Sequence, residues 1–488
     1  MEFQTTEEQD RIINYEGGCL VVKAFAGAGK TSTLVNYAKQ NPQDQILYIA
    51  YNKAIKDEAT KKFPTNVKCL TSHGLAYFQF GKKFKDKNKL SNNIYLRDIA
   101  FALEIYDFGF LNRVLETVNS FLTSSSTDIM PGHIPQIPGE PTVLTEKEIS
   151  YRNAIVRNAK TLWHKMQDLN NPAKISHDGY LKLYQLSKPD LTKKYSIIMI
   201  DEAQDITPVV NSILLDQKCS LVYVGDPHQQ IYRWRGAENA MEYKELDRAD
   251  KLNLTHSFRF GPKIAMVANA ILDLKQENLN IVGRADNDNV YSQMETNSSL
   301  NFDNQITILS RTVTGVILSA FQESRKNKKI FWIGGINKYP LFLIEDIYWL
   351  SKGKTNNIKD KLLLNEYPSF LAYKDFADKT GNWEMIRNCN FVEDHEDNIP
   401  TLLENLRSNN CVDMDSADVI VSTVHRSKGL EFKTVIMSED FPDVFALSGN
   451  TEKYHDELNL LYVAATRATQ NLIINSITEE ILRDFLGS

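Results

Sequence analysis

Residues 21–31 read VVKAFAGAGKT, and this stretch constrains the fold more than any other. The apolar run VVKAFA reads as a short buried strand. It ends in the small-residue turn Gly27-Ala28-Gly29 and leads into Lys30 and Thr31 at the start of a helix, STLVNYAKQ. A turn of this kind bends the backbone so that successive N–H groups face inward, and together with the helix N-terminus they favour a polyphosphate. In a loop of this type Lys30 lies along the β/γ-phosphates and the Thr31 hydroxyl is a ligand of Mg²⁺. Ala24 stands where the usual pattern has its first glycine. A glycine-rich turn with a chance Lys-Thr is the alternative, so the reading depends on partners downstream.

Two later stretches supply those partners. In YSIIMIDEAQD (195–205) an apolar strand delivers Asp201 and Glu202 at its carboxyl end. Phosphoryl transfer to water needs one carboxylate to hold Mg²⁺ and another to orient and deprotonate the nucleophile, and Asp201 and Glu202 suit those roles in that order. In CSLVYVGDPHQQIYRWRGAE (219–238) a second buried strand ends at Asp226, followed by Gln229 and then Tyr232, Trp234 and Arg235. Gln229 has the chemistry to bond both a γ-phosphate and the attacking water. An indole beside arginines on a loop suits stacking on a single-stranded base together with a phosphate contact.

In chain order, TTEEQDRIINY (5–15) reads as a helix with Thr5 or Thr6 as N-cap. Two readings stand for Gln9: an amide that reads the edge of adenine, or a solvated helix residue. QILYIA (45–50), a helix YNKAIKDEATKKF and a strand VKCLTSH (67–73) follow, and this alternation indicates a doubly wound parallel sheet. Tyr51, Asn52 and Lys53, and then Thr71, Ser72 and His73, emerge on the rim that carries the phosphate loop. For His73 a structural histidine and a phosphate-backbone contact are both open.

Residues 76–190 read as a helical insertion with a basic run, KKFKDKNK (82–89), and a Pro/Gly-rich loop, MPGHIPQIPGEP (130–141). The run is either a solvated surface or a duplex or strand contact. A second alternating segment begins near 251. It places Arg259 between a strand and a helix, Arg311 at the end of ITILSRT, and IFWIGG (330–335) as a strand. A mixed, mainly helical region spans 340–414. Two buried strands joined by a polar turn (417–437) follow, then a helix carrying Arg467 and a terminal strand (458–476). The order describes two discontinuous α/β domains, each with an insertion.

A chain of 488 residues exceeds one core and implies several domains. Its net charge of -6 excludes a wholly basic nucleic-acid binder but not a local basic groove. Cys19, Cys69, Cys219, Cys389 and Cys411 are scattered and without a CxxC, which argues against a disulfide framework or zinc module. MEFQTTEEQD carries no secretory signal, and no apolar run approaches a membrane span. A reducing, intracellular compartment is expected: cytoplasm or nucleoid in a prokaryote or virus, with the nucleus open in a eukaryote.

These motifs together resemble the UvrD/Rep family of superfamily 1 helicases, in family order and over essentially the whole chain. The resemblance implies two RecA-like parallel-sheet α/β motor domains, 1–75 with 191–250 and 251–339 with 415–488, interrupted by a helical insertion at 76–190 and a compact one at 340–414. AGAGKT (26–31) corresponds to the phosphate loop, so Ala26, Gly27, Ala28, Gly29, Lys30, Thr31 and Ser32 are implied nucleotide contacts, with Gln9 as the adenine reader. YNKA (51–54) resembles the family's Asn-Lys-Ala segment one residue short, with Tyr51 near the place of a strand-contacting aromatic. CLTSH, IDEAQD and VGDPHQQIYRWRGA match further motifs. THSFR has Phe258 where an adenine-stacking tyrosine is usual, with Arg259 reaching the γ-phosphate. In TVHRSKGLEF, Thr423 and His425 resemble strand contacts and Glu431 the glutamate that meets the nucleotide sugar. Arg467 in YVAATRA matches the arginine supplied by the second motor domain.

The implied cofactors are ATP and Mg²⁺. The implied partners are single-stranded DNA, single-strand/duplex junctions and repair, recombination or defence proteins, with no membrane. The implied activity is ATP-driven 3′ to 5′ movement on single-stranded DNA with unwinding, in repair or recombination. Two other readings are a protein-displacing translocase or motor subunit, and a nucleotide-switched scaffold without turnover. The variable regions, including ENLRSNN and WIGG, are similar to the helicase portion of the F-box DNA helicases. The adenine-reading segment begins so early that no further module is expected ahead of residue 1, and a ubiquitin-ligase role is not expected.

Overall fold

A strand made only of apolar residues is stable where both faces are covered, as in a parallel sheet flanked by helices. The computed structural model describes residues 5–137, 140–141, 143–293, 305–380 and 382–487. By their internal contacts they fall into two units, Met1–Phe25 with Gly29–Leu254, and Ala26–Ala28 with Thr255–Ser488. Each is built on such a sheet, giving two RecA-like α/β folds with helical insertions. Of the segments read from sequence, residues 1–4, residues 138–139 of the Pro/Gly-rich loop and residue 142 of the same insertion, residues 294–304 of the second alternation, residue 381 of the compact insertion and residue 488 lie outside the described residues.

The first sheet contains β1 (Cys19–Ala24), β2 (Ile46–Ala50), β3 (Val67–Thr71), β4 (Ile197–Ile200), β5 (Ser220–Gly225) and β6 (Asp250–Leu254). All pairings are parallel, in the order β3-β2-β4-β5-β1-β6. β2 and β4 are buried at every position, as their unbroken apolar sequences require. α1 (Glu7–Ile13) starts with a capping box between Thr6 and Gln9. α2 (Lys30–Gln40), α3 (Lys53–Lys62) and α4 (Ser72–Ala76) follow the first three strands directly.

A π-helical turn, Tyr77–Gly81, leads from α4 into α5 (Lys82–Asp86). The insertion continues with α6 (Leu96–Leu103), α7 (Phe108–Thr123), α8 (Glu146–Gln167) and α9 (His177–Leu186), and α10 (Pro208–Leu215) follows β4. One apolar core joins insertion and sheet, with Phe84, Val118, Phe121, Leu162 and Tyr180 in the same cluster as Ile198, Ile200 and Tyr223. Lysines from elsewhere in the insertion close three of its helices. Lys165 donates to Ala102 O at the end of α6 at 2.5 Å, Lys182 to Ser124 O after α7 at 2.9 Å, and Lys89 to Lys165 O and Asn171 O around the end of α8 at 3.2 and 2.8 Å. An amino group there donates to carbonyls that have no partner within the helix.

The second unit has a two-stranded parallel pair, β7 (His256–Ser257) with β8 (Val282–Gly283), and α11 (Pro262–Asp273). Its larger sheet comprises β9 (Asn289–Ser292), β10 (Ile306–Ser310), β11 (Ile330–Trp332), β12 (Asn410–Cys411), β13 (Val419–Thr423), β14 (Phe432–Met437) and β15 (Ala468–Ile474). The order is β12-β11-β13-β10-β14-β15-β9, again parallel throughout. Between β11 and β12 lie the helices Leu341–Ser351, Lys361–Glu366, Phe370–Thr380, Trp383–His395 and Ile399–Ser408. They share a core of Trp332, Tyr348, Phe391 and Leu403 with Val419 and Val421.

Several local expectations are corrected. The strand at 250–254 pairs with β1 and completes the first sheet, so the second alternation starts after it. The third strand ends at Thr71, whose hydroxyl caps α4, and Ser72 and His73 are therefore helical. The polar turn between β13 and β14 contains a single helical turn, Val424–Ser427, capped by Thr423. Arg467 lies beyond the helix Thr451–Ala465, which stops at the Thr466 cap, and the chain continues past its last strand into the helix Ser476–Gly487. IFWIGG leaves the sheet at Trp332, because Gly334 and Gly335 take φ of +84° and +85°.

Candidate nucleotide and nucleic-acid site

β1 runs into Phe25, and the loop that follows holds Gly27 and Gly29 at φ +74°, a conformation open to glycine at little steric cost. Ala26 and Ala28 are buried, and Lys30, Thr31 and Ser32 form the first turn of α2. Gly29 is the N-cap of α2 and offers no side-chain acceptor to the first N–H groups of the helix, the condition for binding an anion there. Lys30 Nζ lies 3.2 Å from Glu202 Oε1, with the two side chains 13% and 16% exposed. Burial works to lower the Lys30 pKa, but the carboxylates of Glu202, Asp201 and Asp226 outweigh it and hold the ammonium above its ordinary value.

Asp201 is buried at the end of β4, where Tyr48 donates its hydroxyl to Oδ2 at 2.5 Å and the Glu202 amide donates to Oδ1 at 2.9 Å. Burial, and next the like charge of Glu202, push its carboxyl above the usual range. Glu202 sits at φ +52°, a left-handed conformation that a non-glycine residue holds only when its surroundings enforce it.

Those surroundings include Gln204, a residue the sequence showed only as part of DEAQD. It is fully buried, donates from Nε2 to Glu202 Oε2 at 2.5 Å, and accepts at Oε1 from the Asp226 amide at 3.0 Å. Its backbone carbonyl accepts from Gln230 Nε2 at 2.8 Å. Gly225 makes room for it, since a Cβ there would lie 2.4 Å from Gln204 Oε1. Asp226 in turn accepts from Gln229 Nε2 at 2.7 Å. The ends of β4 and β5 are thus one hydrogen-bonded unit running from Lys30 through Glu202 and Gln204 to Asp226 and Gln229. Tyr48, on an apolar strand, gave no polar signal in sequence.

Gln9 is 2% exposed, accepts from the Thr6 amide at 3.1 Å and donates to Thr33 Oγ1 of α2 at 3.2 Å. The solvated alternative for this residue is therefore excluded.

On the same rim a cleft of about 400 Å³ is lined by Tyr51, Asn52, His73, Asp178, Tyr232 and Arg235 among others. Tyr51 and Tyr232 stack, with ring centres 5.4 Å apart and planes 19° off parallel. Burial, then Asp205, pushes the Tyr232 phenol up to about 12, and burial with Tyr232 raises Tyr51 further, so both rings stay neutral. Trp234 is 68% exposed, and the Arg235 guanidinium lies 4.5 Å from its ring centre. Asn52 Oδ1 accepts from the Ile55 amide at 2.9 Å as the N-cap of α3. His73 Nε2 bonds Asp178 Oδ1 at 2.9 Å while its side chain stays 39% exposed at the cleft. Burial opposes ionisation of Asp178, but the hydrogen bond to His73 and the charges of His73, His177 and Arg235 hold it below the usual carboxylate range. Asp178 comes from a segment more than a hundred residues away, and no local pattern announced it.

In the second unit Arg259 Nη2 lies 2.7 Å from Glu431 Oε1, and its Nη1 donates to Thr466 O at 2.9 Å. Arg467 is 1% exposed and donates to Val463 O and Leu430 O at 3.0 and 3.2 Å. Phe258 is 39% exposed. Thr423 is buried and caps the turn that carries His425.

The donor set fits a divalent cation: Asp201 is a buried carboxylate crowded by a second one, a charge excess that a cation would relieve, and Thr31 adds a hydroxyl in the first turn of α2. A parallel sheet with a glycine loop and lysine after its first strand, and paired acids after its fourth, defines a nucleotide-binding protein of the phosphate-loop class. The family described as the UvrD/REP helicase N-terminal domain matches residues 5–248, and the UvrD-like helicase C-terminal domain matches residues 382–479. The chain belongs to the UvrD/REP helicase family, whose members use ATP and Mg²⁺.

It is 36% identical to F-box DNA helicase 1 of Gallus gallus, covering 99% of this chain and 50% of that protein. It is 34% identical to F-box DNA helicase protein 1 of Schizosaccharomyces pombe, covering 96% and 57%. It is also 27% identical to Gabija protein GajB of Bacillus cereus, covering 60% of this chain and 66% of that one. The chain thus spans about half the length of the two F-box relatives. Among the described residues no helix is long and apolar enough to cross a membrane, and the five cysteines are free thiols.

Proposed function

We propose that the chain is an ATP-dependent DNA helicase or translocase that moves 3′ to 5′ on single-stranded DNA, in repair or recombination. The observation that carries this reading is the continuous hydrogen-bonded path from Lys30 and Glu202 through Gln204 to Asp226, Gln229 and Gln230, which ends two residues before the Tyr232 that stacks on Tyr51. A path of this kind lets the state of a phosphate at Lys30 bear on the aromatic cleft.

In this reading Lys30 neutralises phosphoryl charge, Glu202 takes the proton of the attacking water, and Gln229 orients that water. Thr31 and Asp201 would hold Mg²⁺, which when bound draws charge from the phosphate oxygens. Arg259 and Arg467 are assigned to phosphate charge, and Phe258, Glu431 and Gln9 to the base and sugar of ATP. Tyr51, Asn52, His73, Tyr232, Trp234, Arg235, Thr423 and His425 are assigned to the strand. Segments 1–75 with 191–254, and 255–339 with 415–488, are assigned as motor domains, with 76–190 and 340–414 as their insertions.

Strand displacement on partial duplexes with opposite single-stranded tails, with ATP hydrolysis followed in parallel, tests the proposal. Unwinding of the 3′-tailed substrate with strand-stimulated hydrolysis is expected. Hydrolysis indifferent to single strands, or unwinding only from a 5′ tail, would overturn it.

A further inference from the structure

The basic run at 82–89 is left unused by the site described above, and its position in the fold gives it one. α4, the π-helical turn Tyr77–Gly81 and α5 are a single helical rod, since the junction residues Ala76, Tyr77, Gly81 and Lys82 all keep right-handed helical backbone. From Ser72 to Asp86 it runs roughly 22 Å at about 1.5 Å per residue. Its first turn, Ser72 and His73, lines the cleft. One side is packed on α9, where Tyr77 meets Tyr180 edge to face at 6.2 Å and Phe84 is fully buried. The other side presents Phe78, 81% exposed, followed by Lys82, Lys83 and Lys85, and Lys87 comes just past the end of the rod, all four lysines being exposed.

Neither the ring nor the charges are explained by folding. Phe78 lies outside the core, and no carboxylate of the described residues is within ion-pair distance of these four lysines. Lys83 Nζ instead rests over the rings of Phe80 and Phe84, at 5.1 and 5.3 Å. A π-helical turn inside a helix is rare and is found frequently at functional sites. Here it falls on the turn that carries Phe78.

We propose that this face of the rod is a second contact for single-stranded nucleic acid, on which a strand leaving the cleft stacks a base on Phe78 and lays its phosphates along Lys82 and Lys83. Exposed aromatic and lysine side chains at neighbouring helical positions are the combination that binds a strand without reading its sequence. The inference rests on the reading of the cleft as a strand site, and it makes the insertion an extension of that site.

The test is fluorescence anisotropy of the full chain with oligothymidylates of about 6 to about 24 nucleotides, a range that brackets known single-strand footprints. The unaltered protein is expected to bind long oligomers more tightly than short ones. Phe78→Ala, and the double variant Lys82→Gln/Lys83→Gln, should weaken long-oligomer binding about tenfold and leave the shortest ones unchanged. The salt dependence of the double variant should become shallower by about 0.7 for each lysine removed, and Lys82→Arg/Lys83→Arg should behave as the parent. Equal loss at every length, or no loss at the longest, overturns the proposal. So does a defect seen only when the oligomer adjoins a duplex, which would assign the lysines to duplex DNA. If the unaltered protein binds no oligomer of any length, the cleft reading falls first and this one with it.

Discussion

Lys30 and Glu202 form an ion pair at 3.2 Å across the carboxyl ends of β1 and β4, so the proposed phosphate-binding lysine and the proposed base are in direct contact. Their separate roles predict separable defects. Lys30→Ala should abolish turnover. Glu202→Gln should retain nucleotide affinity, because Asp201 and Thr31 are untouched, yet slow the chemical step by about 10²–10⁴-fold. Equilibrium nucleotide binding and single-turnover hydrolysis measure the two effects. A Glu202→Gln protein that fails only in binding would remove Glu202 from the role of base.

Gln204 links the two strand ends through Glu202 and Asp226, with both of its amide atoms engaged. Gln204→Met removes the link while keeping most of the volume. It leaves polar partners unsatisfied in a buried place, so a loss of about 1–3 kcal/mol in folding stability is expected. Basal hydrolysis should fall because Glu202 loses its support, and stimulation by single-stranded DNA should be lost to a greater extent. Denaturant unfolding together with basal and stimulated ATPase rates checks this. Normal stimulation in the variant would show that the path through Gln204 carries no coupling.

Trp234 contributes little to the fold, being 68% exposed. Trp234→Ala should therefore change stability by no more than about 0.5 kcal/mol and weaken single-strand binding by about 1–3 kcal/mol with little dependence on sequence. Basal ATPase should persist. Thermal unfolding, anisotropy on different homopolymers and translocation on one preparation test it. A folded variant that translocates with normal coupling would refute the stacking role.

Lys182 is fully buried over the Phe121 ring at 4.3 Å, and burial pulls its pKa down from 10.5 to about 7. The unfolded chain therefore binds one more proton than the folded chain at pH values between the two. By linkage, stability should rise with pH from about 7 towards about 10.4, and the full penalty of a buried ammonium should be felt below pH 7. In Lys182→Met this part of the pH dependence should disappear, and the carbonyls of Ser124 and Ser126 lose their donor. Urea unfolding at several pH values between about 6 and about 9, compared between parent and variant, measures the difference. Parallel pH curves for the two would contradict the assignment.

The strands, the phosphate loop and the acid pair were legible in the sequence because each is encoded locally. A run such as IIMI buries itself whichever partner it finds, a glycine turn before Lys30 requires no distant contact, and the acids sit next to the strand that delivers them. The resemblance of ordered motifs then carried the family. What the residues near a position could not disclose was decided by packing between distant segments. Gln9 became buried because Thr33 of α2 accepts its amide, and Tyr48 became polar in function because Asp201 lies on the neighbouring strand. Asp178 reached His73 because α9 folds back on α4. The strand at 250–254 joined the first sheet because β1 had an open edge, a fact of sheet order that no window of sequence contains. Local pattern fixes which groups are available at a strand end, and only the tertiary structure decides which of them meet, since burial and hydrogen-bond satisfaction are settled between segments far apart in the chain.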